Sequence, residues 1–207
     1  MEILRRSTGI MAAAILCSVA VFAQKEIALQ KAFAESYAQE YKLKYAEAIN
    51  HLTPLYEENS YEINLRLGWL YYSMKNYTQS EAYYQKAVKL KPYSIEAKLG
   101  FVKPLSALES WDKVVTLYDE IIKIDQQNYT ANYWLGVIYY NRKKYEQASK
   151  LFEKLVNLYP FDYDTNHMLA WSYLNSGRSN DAKIIFQKAM LIRPGDASCI
   201  EGLGKIK

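Results

Sequence analysis

The feature that most limits this chain is a pattern that returns every 34 residues. Tyr129 to Asp162 (YTANYWLGVIYYNRKKYEQASKLFEKLVNLYPFD) reads as two amphipathic helices, a short turn between them, and a proline that stops the second. Stepping one period either way finds the pattern again, so four units run without insertion: 61–94, 95–128, 129–162 and 163–196. Repeats of this length stack so that each contacts its neighbours, and the architecture expected is a helical solenoid.

The columns carry the case. Leu67, Phe101, Leu135 and Leu169 recur at one position, followed by Gly68, Val102, Gly136 and Ala170, mostly small, as closely approaching helices require. Tyr71, Leu105, Tyr139 and Tyr173 lie four residues after the first column, on the same helical face. In the second helices Ser80, Val114, Ala148 and Ala182 precede the aromatic-rich column Tyr84, Tyr118, Phe152 and Phe186. Ala87, Ile121, Leu155 and Ala189 complete an i, i+4, i+7 stripe. Pro92, Pro160 and Pro194 end three of these helices, and Gln126 stands in the remaining unit. Ser60, Ser94, Asn128, Asp162 and Asp196 share the position before each new helix, and all are good N-caps.

These columns resemble the tetratricopeptide repeat, whose pattern sets Leu-Gly, Tyr, Ala, Phe, Ala and Pro over 34 residues. Leu67-Gly68, Leu135-Gly136, Tyr139, Ala148, Phe152 and Pro160 carry it most clearly. The resemblance implies an all-α fold, a right-handed α-solenoid of antiparallel helix pairs; the N-terminal segment and the absence of catalytic motifs, taken up below, make the expected member a non-enzymatic protein of exported bacterial type. One departure is the tryptophan common early in the family's first helix, which here is Asn64, Lys98, Asn132 and Asn166.

The ends are less regular. Phe33, Ala34 and Tyr37 match the first-helix columns, and the second-helix pattern returns two residues late as Tyr45, Ala48, Leu52 and Leu55. Residues 24–60, with their core in 27–59, are therefore read as a degenerate N-terminal repeat. Residues 197–207 are read as a C-terminal capping helix, with Ile200, Leu203 and Gly204 in register. Pro54 and Pro104 fall inside helices and are expected to kink them.

Met1 to Ala23 has the parts of a secretory signal: Arg5 and Arg6, an apolar run from Ile10, and the small-residue site Val21-Phe22-Ala23. Cleavage is expected after Ala23, with Ala20 as the alternative, giving an exported, periplasmic protein. Membrane contact is expected only if the segment stays uncleaved. Leu16 before Cys17 is too large for a lipidation site, and Cys199 is then the one remaining thiol, expected as a small buried residue. Removing Arg5, Arg6 and Glu2 lowers the formal charge of +4 by one, and the remaining lysines are dispersed. A nucleic-acid face would be denser. With little glycine and proline and no Ser- or Gly-rich linker, the chain reads as one folded unit.

Catalysis has no visible machinery. The histidines are His51, expected at a surface or interface, and His167. No HExxH, CxxC, GxSxG or phosphate-cradling glycine loop appears, so no metal or cofactor is expected. Binding is better supported. Beside the packing face of each first helix lies a second stripe, which in the tetratricopeptide family lines the concave groove. It contains Leu65, Trp69 and Tyr72; Leu99, Lys103 and Ser106; Tyr133, Val137 and Tyr140; and His167, Trp171 and Leu174. The corresponding residues of the degenerate unit are Lys31, Glu35 and Ala38. The aromatic rings suit recognition of a peptide or partner helix. Trp134 is instead expected between helices. The carboxylate clamp of some family members does not carry over, because the groove offers only Lys103 and a peripheral Arg66. The function expected is a protein-interaction scaffold of the cell envelope. Aromatic rings also stack on sugars, so a peptidoglycan-binding protein is one alternative, and a structural subunit of an envelope assembly is another.

Overall fold

The computed structural model describes residues 23–206, so the signal-like segment up to residue 22 lies outside the described residues. The chain divides into two compact units, Met1–Pro92 and Tyr93–Lys207. A linker is not needed for such a division, because an array of helix pairs has no single core to interrupt. The one folded unit expected from composition is therefore two. Among the described residues there is no strand, and no helix is long and apolar enough to cross a membrane.

The N-terminal unit contains α1 (23–40), α2 (Tyr45–Leu52) followed by a 3-10 turn (Thr53–Leu55), α3 (Tyr61–Ser73) and α4 (Tyr77–Leu90). Ala32, Ala48, Ile49, Leu52, Ile63, Leu67 and Leu70 form a buried cluster in it. The C-terminal unit contains α5 (Ile95–Ala107), α6 (Trp111–Ile124), α7 (Tyr129–Asn141) and α8 (Tyr145–Leu158). It continues with α9 (Tyr163–Asn175), α10 (Ser179–Ile192) and α11 (Ala197–Gly204). Its core includes Ala148, Phe152, Leu169, Ala170, Phe186, Ala189 and Cys199.

The first helix of each regular pair, and α11, starts from a side-chain cap. Ser60, Ser94, Asn128, Asp162 and Asp196 all accept a bond from the backbone N–H three residues on, at 3.4, 3.1, 3.1, 2.8 and 2.9 Å. The turn inside each pair is equally regular. Leu43, Lys75, Glu109, Lys143 and Gly177 all take the left-handed conformation, with φ between 56° and 84°. The next N–H then reaches back five residues, as Asn76 to the Tyr71 carbonyl (2.9 Å) and Lys144 to the Tyr139 carbonyl (2.8 Å). This closes the first helix and turns the chain. Leu43 sits two residues later than the other turns predict, matching the late second-helix pattern of the degenerate repeat.

Small residues set the spacing within a pair. A Cβ on Gly68 would stand 2.8 Å from the Tyr84 ring, and one on Gly136 would stand 2.7 Å from the Phe152 ring. In α11 it is Gly202 that approaches Phe186, while Gly204 meets nothing and Ile200 is exposed, so of the three in-register residues only Leu203 packs on the core.

Of the two internal prolines, Pro54 differs from expectation. Pro54 does not kink α2; the helix ends at Leu52 and Pro54 is the second residue of the 3-10 turn, where its missing N–H costs nothing. Pro104 lies buried inside α5, which continues through it to Ala107.

The residues that replace the family's tryptophan are all buried. Asn64, Asn132 and Asn166 each donate from Nδ2 to their own N-cap carbonyl, at 2.7, 2.8 and 2.6 Å. Each also donates to a carbonyl six residues back, Glu58, Gln126 or Pro160, at 2.9, 3.2 and 3.2 Å. One side chain thus fastens the loop before the helix to the helix itself. Lys98 takes the position differently, pairing with Glu120 of α6.

Candidate functional site

The second stripe of the first helices lies, in each unit, along the flank of the core. In the N-terminal unit it consists of Leu65, Trp69 and Tyr72 on α3, all half-buried. The Trp69 and Tyr72 rings are 6.0 Å apart, and Tyr77 lies 5.7 Å beyond Tyr72. The indole N–H of Trp69 donates to Glu40 at the end of α1, and Arg66 Nη1 binds the other oxygen of the same carboxylate. Arg66 is not peripheral. It is 6% exposed, lies 3.8 Å from the Tyr37 ring centroid, and is committed to Glu40, so it is not offered to a ligand's carboxylate. Glu35, the polar counterpart on α1, pairs with His51 Nδ1 (3.0 Å), and Lys31 and Ala38 are exposed.

In the C-terminal unit Lys103 is exposed on α5, between half-buried Leu99 and Ser106. Tyr133, Val137 and Tyr140 on α7, and Trp171 and Leu174 on α9, all pack half-buried against the core. Tyr133 stacks on Tyr129 at 5.8 Å and meets Phe152 edge-on at 5.9 Å. Asn175 Nδ2 donates to Tyr140 Oη (3.0 Å), which ties α9 to α7 across the stripe. Burial raises the pKa values of Tyr133 and Tyr140 above the ordinary phenol value, so both hydroxyls stay protonated donors at neutral pH.

His167 and Trp171 are drawn together at the end of this stripe. Trp171 Nε1 donates to Ser198 Oγ of α11 (3.0 Å) and lies 3.2 Å from His167 Nε2, itself 2.8 Å from the same hydroxyl. Tyr163 stacks on His167 at 5.5 Å, Phe186 meets the Trp171 ring edge-on at 5.3 Å, and Lys205 Nζ lies 5.0 Å from that ring. Burial lowers the His167 pKa, keeping the imidazole neutral. The closing helix therefore covers part of the residue expected to be the stripe's second anchor.

Two aromatic sites escaped the sequence reading. Trp134 is not between helices; it is 50% exposed, with its ring edge-on to Tyr133 at 5.4 Å. Tyr159 and Phe161, at 47% and 69% exposure, flank Pro160 in an open depression of 670 Å³ lined also by Tyr129, Leu158 and Asp162. The run Tyr-Pro-Phe after the helix was the signal available, because a turn with two aromatic rings has no core to enter.

The tetratricopeptide-repeat family profile matches residues 61–94, 129–162 and 151–184. The third match begins in α8 and runs through α9, as a repeating array allows. No curated protein sequence matches the chain significantly. Among solved structures, a tetratricopeptide repeat protein from Parabacteroides merdae superposes with a TM-score of 0.73 at 17% identity, covering 84% of this chain and 70% of that one. A structure of MamA AMB-1 gives 0.71 at 18% identity, covering 87% of this chain and 98% of the other. At such identities the likeness establishes the helix-pair fold alone.

Proposed function

We propose that this chain, three stretches of which match the tetratricopeptide-repeat profile of a class that serves as scaffolds for protein–protein contact, receives a peptide or a partner's helix on the aromatic stripe of its first helices. The observation that carries this reading is the state of Tyr133, Val137, Tyr140 and Leu174. Each is half-buried, resting on the core with one side left to solvent, so a partner adds contacts to an already ordered surface. Rings held in place lose little conformational freedom on binding, which is why such positions anchor recognition. The protonated Tyr140 hydroxyl and Asn175 supply polar tips for a backbone or side-chain partner. Trp69 and Tyr72 offer a smaller face of the same kind in the N-terminal unit.

The proposal includes export through removal of residues 1–23, followed by work in the bacterial cell envelope; the N-terminal mass of the protein purified from its host tests that part. Recognition is tested by placing a photo-crosslinking amino acid at Tyr140 and at Tyr72, with exposed Lys150 on α8 as the control. A defined protein crosslinked from the stripe positions and not from Lys150 supports the proposal. Crosslinking that is equal at all three positions refutes stripe recognition, and binding of peptidoglycan fragments without any protein crosslink replaces the partner with a glycan.

A further inference from the structure

Where the last repeat meets the closing helix, the fold gathers side chains that no linear motif would join. His167 on α9, Asp196 at the N-cap of α11 and Cys199 in its first turn each offer one ligand atom, all within 4.8 Å of one another. We propose that His167, Asp196 and Cys199 bind a zinc-class divalent cation, with water as the fourth ligand. Imidazole, carboxylate and thiolate are the zinc donor set, and three protein ligands plus water make an accepted coordination shell. Bonds of about 2.0–2.3 Å place tetrahedral ligands about 3.3–3.8 Å apart, so closing the site requires movements of about an ångström at most.

The surroundings favour ordered coordination. Cys199 is fully buried and His167 and Asp196 are half-buried, unlike a chance group of surface acids. A proton on His167 Nε2 directs its bond to Ser198 Oγ (2.8 Å), in place of the one this nitrogen otherwise accepts from Trp171 Nε1 (3.2 Å), and leaves the opposite ring nitrogen's lone pair for the ion. Trp171 Nε1 keeps its own bond to that hydroxyl at 3.0 Å. Asp196 accepts from the Cys199 N–H at 2.9 Å through one oxygen, and a carboxylate has lone pairs to spare. The Tyr163 hydroxyl beside this carboxylate favours its charged form. Asp164 adds a second negative charge near the imidazole, set against the guanidinium of Arg193, which lies 3.6 Å from the Tyr163 ring centroid. On binding, the Cys199 S–H bond breaks, the sulfur's electron pair goes to the metal, and the proton passes to buffer. The ion would join α9 to α11 and fix the cap on the array.

The test is a titration of the full chain, under reducing conditions, with cobalt(II) as a spectroscopic substitute for zinc. The expected result is a near-ultraviolet thiolate-to-cobalt charge-transfer band at one equivalent, retained in Cys17→Ser and lost in Cys199→Ser. Zinc should displace the cobalt and raise the wild-type melting temperature, and in Asp196→Asn, which keeps a capping side chain, it should bind at least tenfold more weakly with helicity unchanged. A wild type without the band, or a band that survives Cys199→Ser, overturns the proposal.

Discussion

Trp69 and Trp171 occupy the same position of repeats 102 residues apart, yet their indole N–H groups reach in opposite directions along the chain. Trp69 donates backwards to Glu40 at the end of α1, where Arg66 shares the carboxylate. Trp171 donates forwards to Ser198 in α11, where His167 shares the hydroxyl. The inner members of that column are Lys103 and Val137, and Val137 has no polar tip to satisfy. The difference teaches what the tryptophans do. Each fastens an irregular end segment to the regular helix pairs, one through a charge and the other through neutral groups. The recognition proposed above then rests chiefly on the tyrosine and aliphatic part of the stripe, with the exposed sides of the two rings adding to it.

The charged pin should be the harder to break. Glu40→Ala leaves Arg66 buried without its anion, and is expected to cost about 3–5 kcal/mol of unfolding free energy in a denaturant titration. Replacing each indole by a phenyl ring removes the N–H together with part of the ring, so it is the difference between the two variants that separates the pins. Trp69→Phe should cost about 1.5–3 kcal/mol, as a bond to a charged acceptor does, and Trp171→Phe about 0.5–1.5 kcal/mol, because Ser198 and His167 still bond each other. Equal losses would break the comparison. The smallest effect expected is one of pH. His167 is held below its ordinary pKa of 6.5 by burial, so the folded state binds fewer protons than the unfolded state. Its contribution is full above pH 6.5 and declines as pH falls through that value. Melting temperatures measured with chelator from pH 7.5 to 5 should fall more for the wild type than for His167→Gln.

Much of the fold was legible because its causes are local. Five N-caps, the leucine and glycine columns and the terminating prolines act within a few residues of themselves, and the helices begin directly after the caps. What stayed hidden depends on partners a repeat away. Arg66 meets Glu40 across 26 residues and Ser198 meets His167 across 31, separations with no periodic signature among unlike side chains. Asn64, Asn132 and Asn166 looked like a simple loss of tryptophan. Their role, clamping the preceding loop, needs the loop's carbonyls to be turned inward. Trp134 misled for a related reason: its neighbour Tyr133 takes the contact with Phe152, leaving Trp134 at the surface.

The most direct test of the account is the affinity of the partner crosslinked at Tyr140, measured by calorimetry against wild type, Tyr140→Ala and Tyr159→Ala. Tyr159 is an exposed ring off the stripe, and so controls for general loss of aromatic surface. The account predicts binding at least tenfold weaker for Tyr140→Ala, about 1.4 kcal/mol, with helicity retained and Tyr159→Ala unchanged. Equal affinity for Tyr140→Ala and wild type would contradict it.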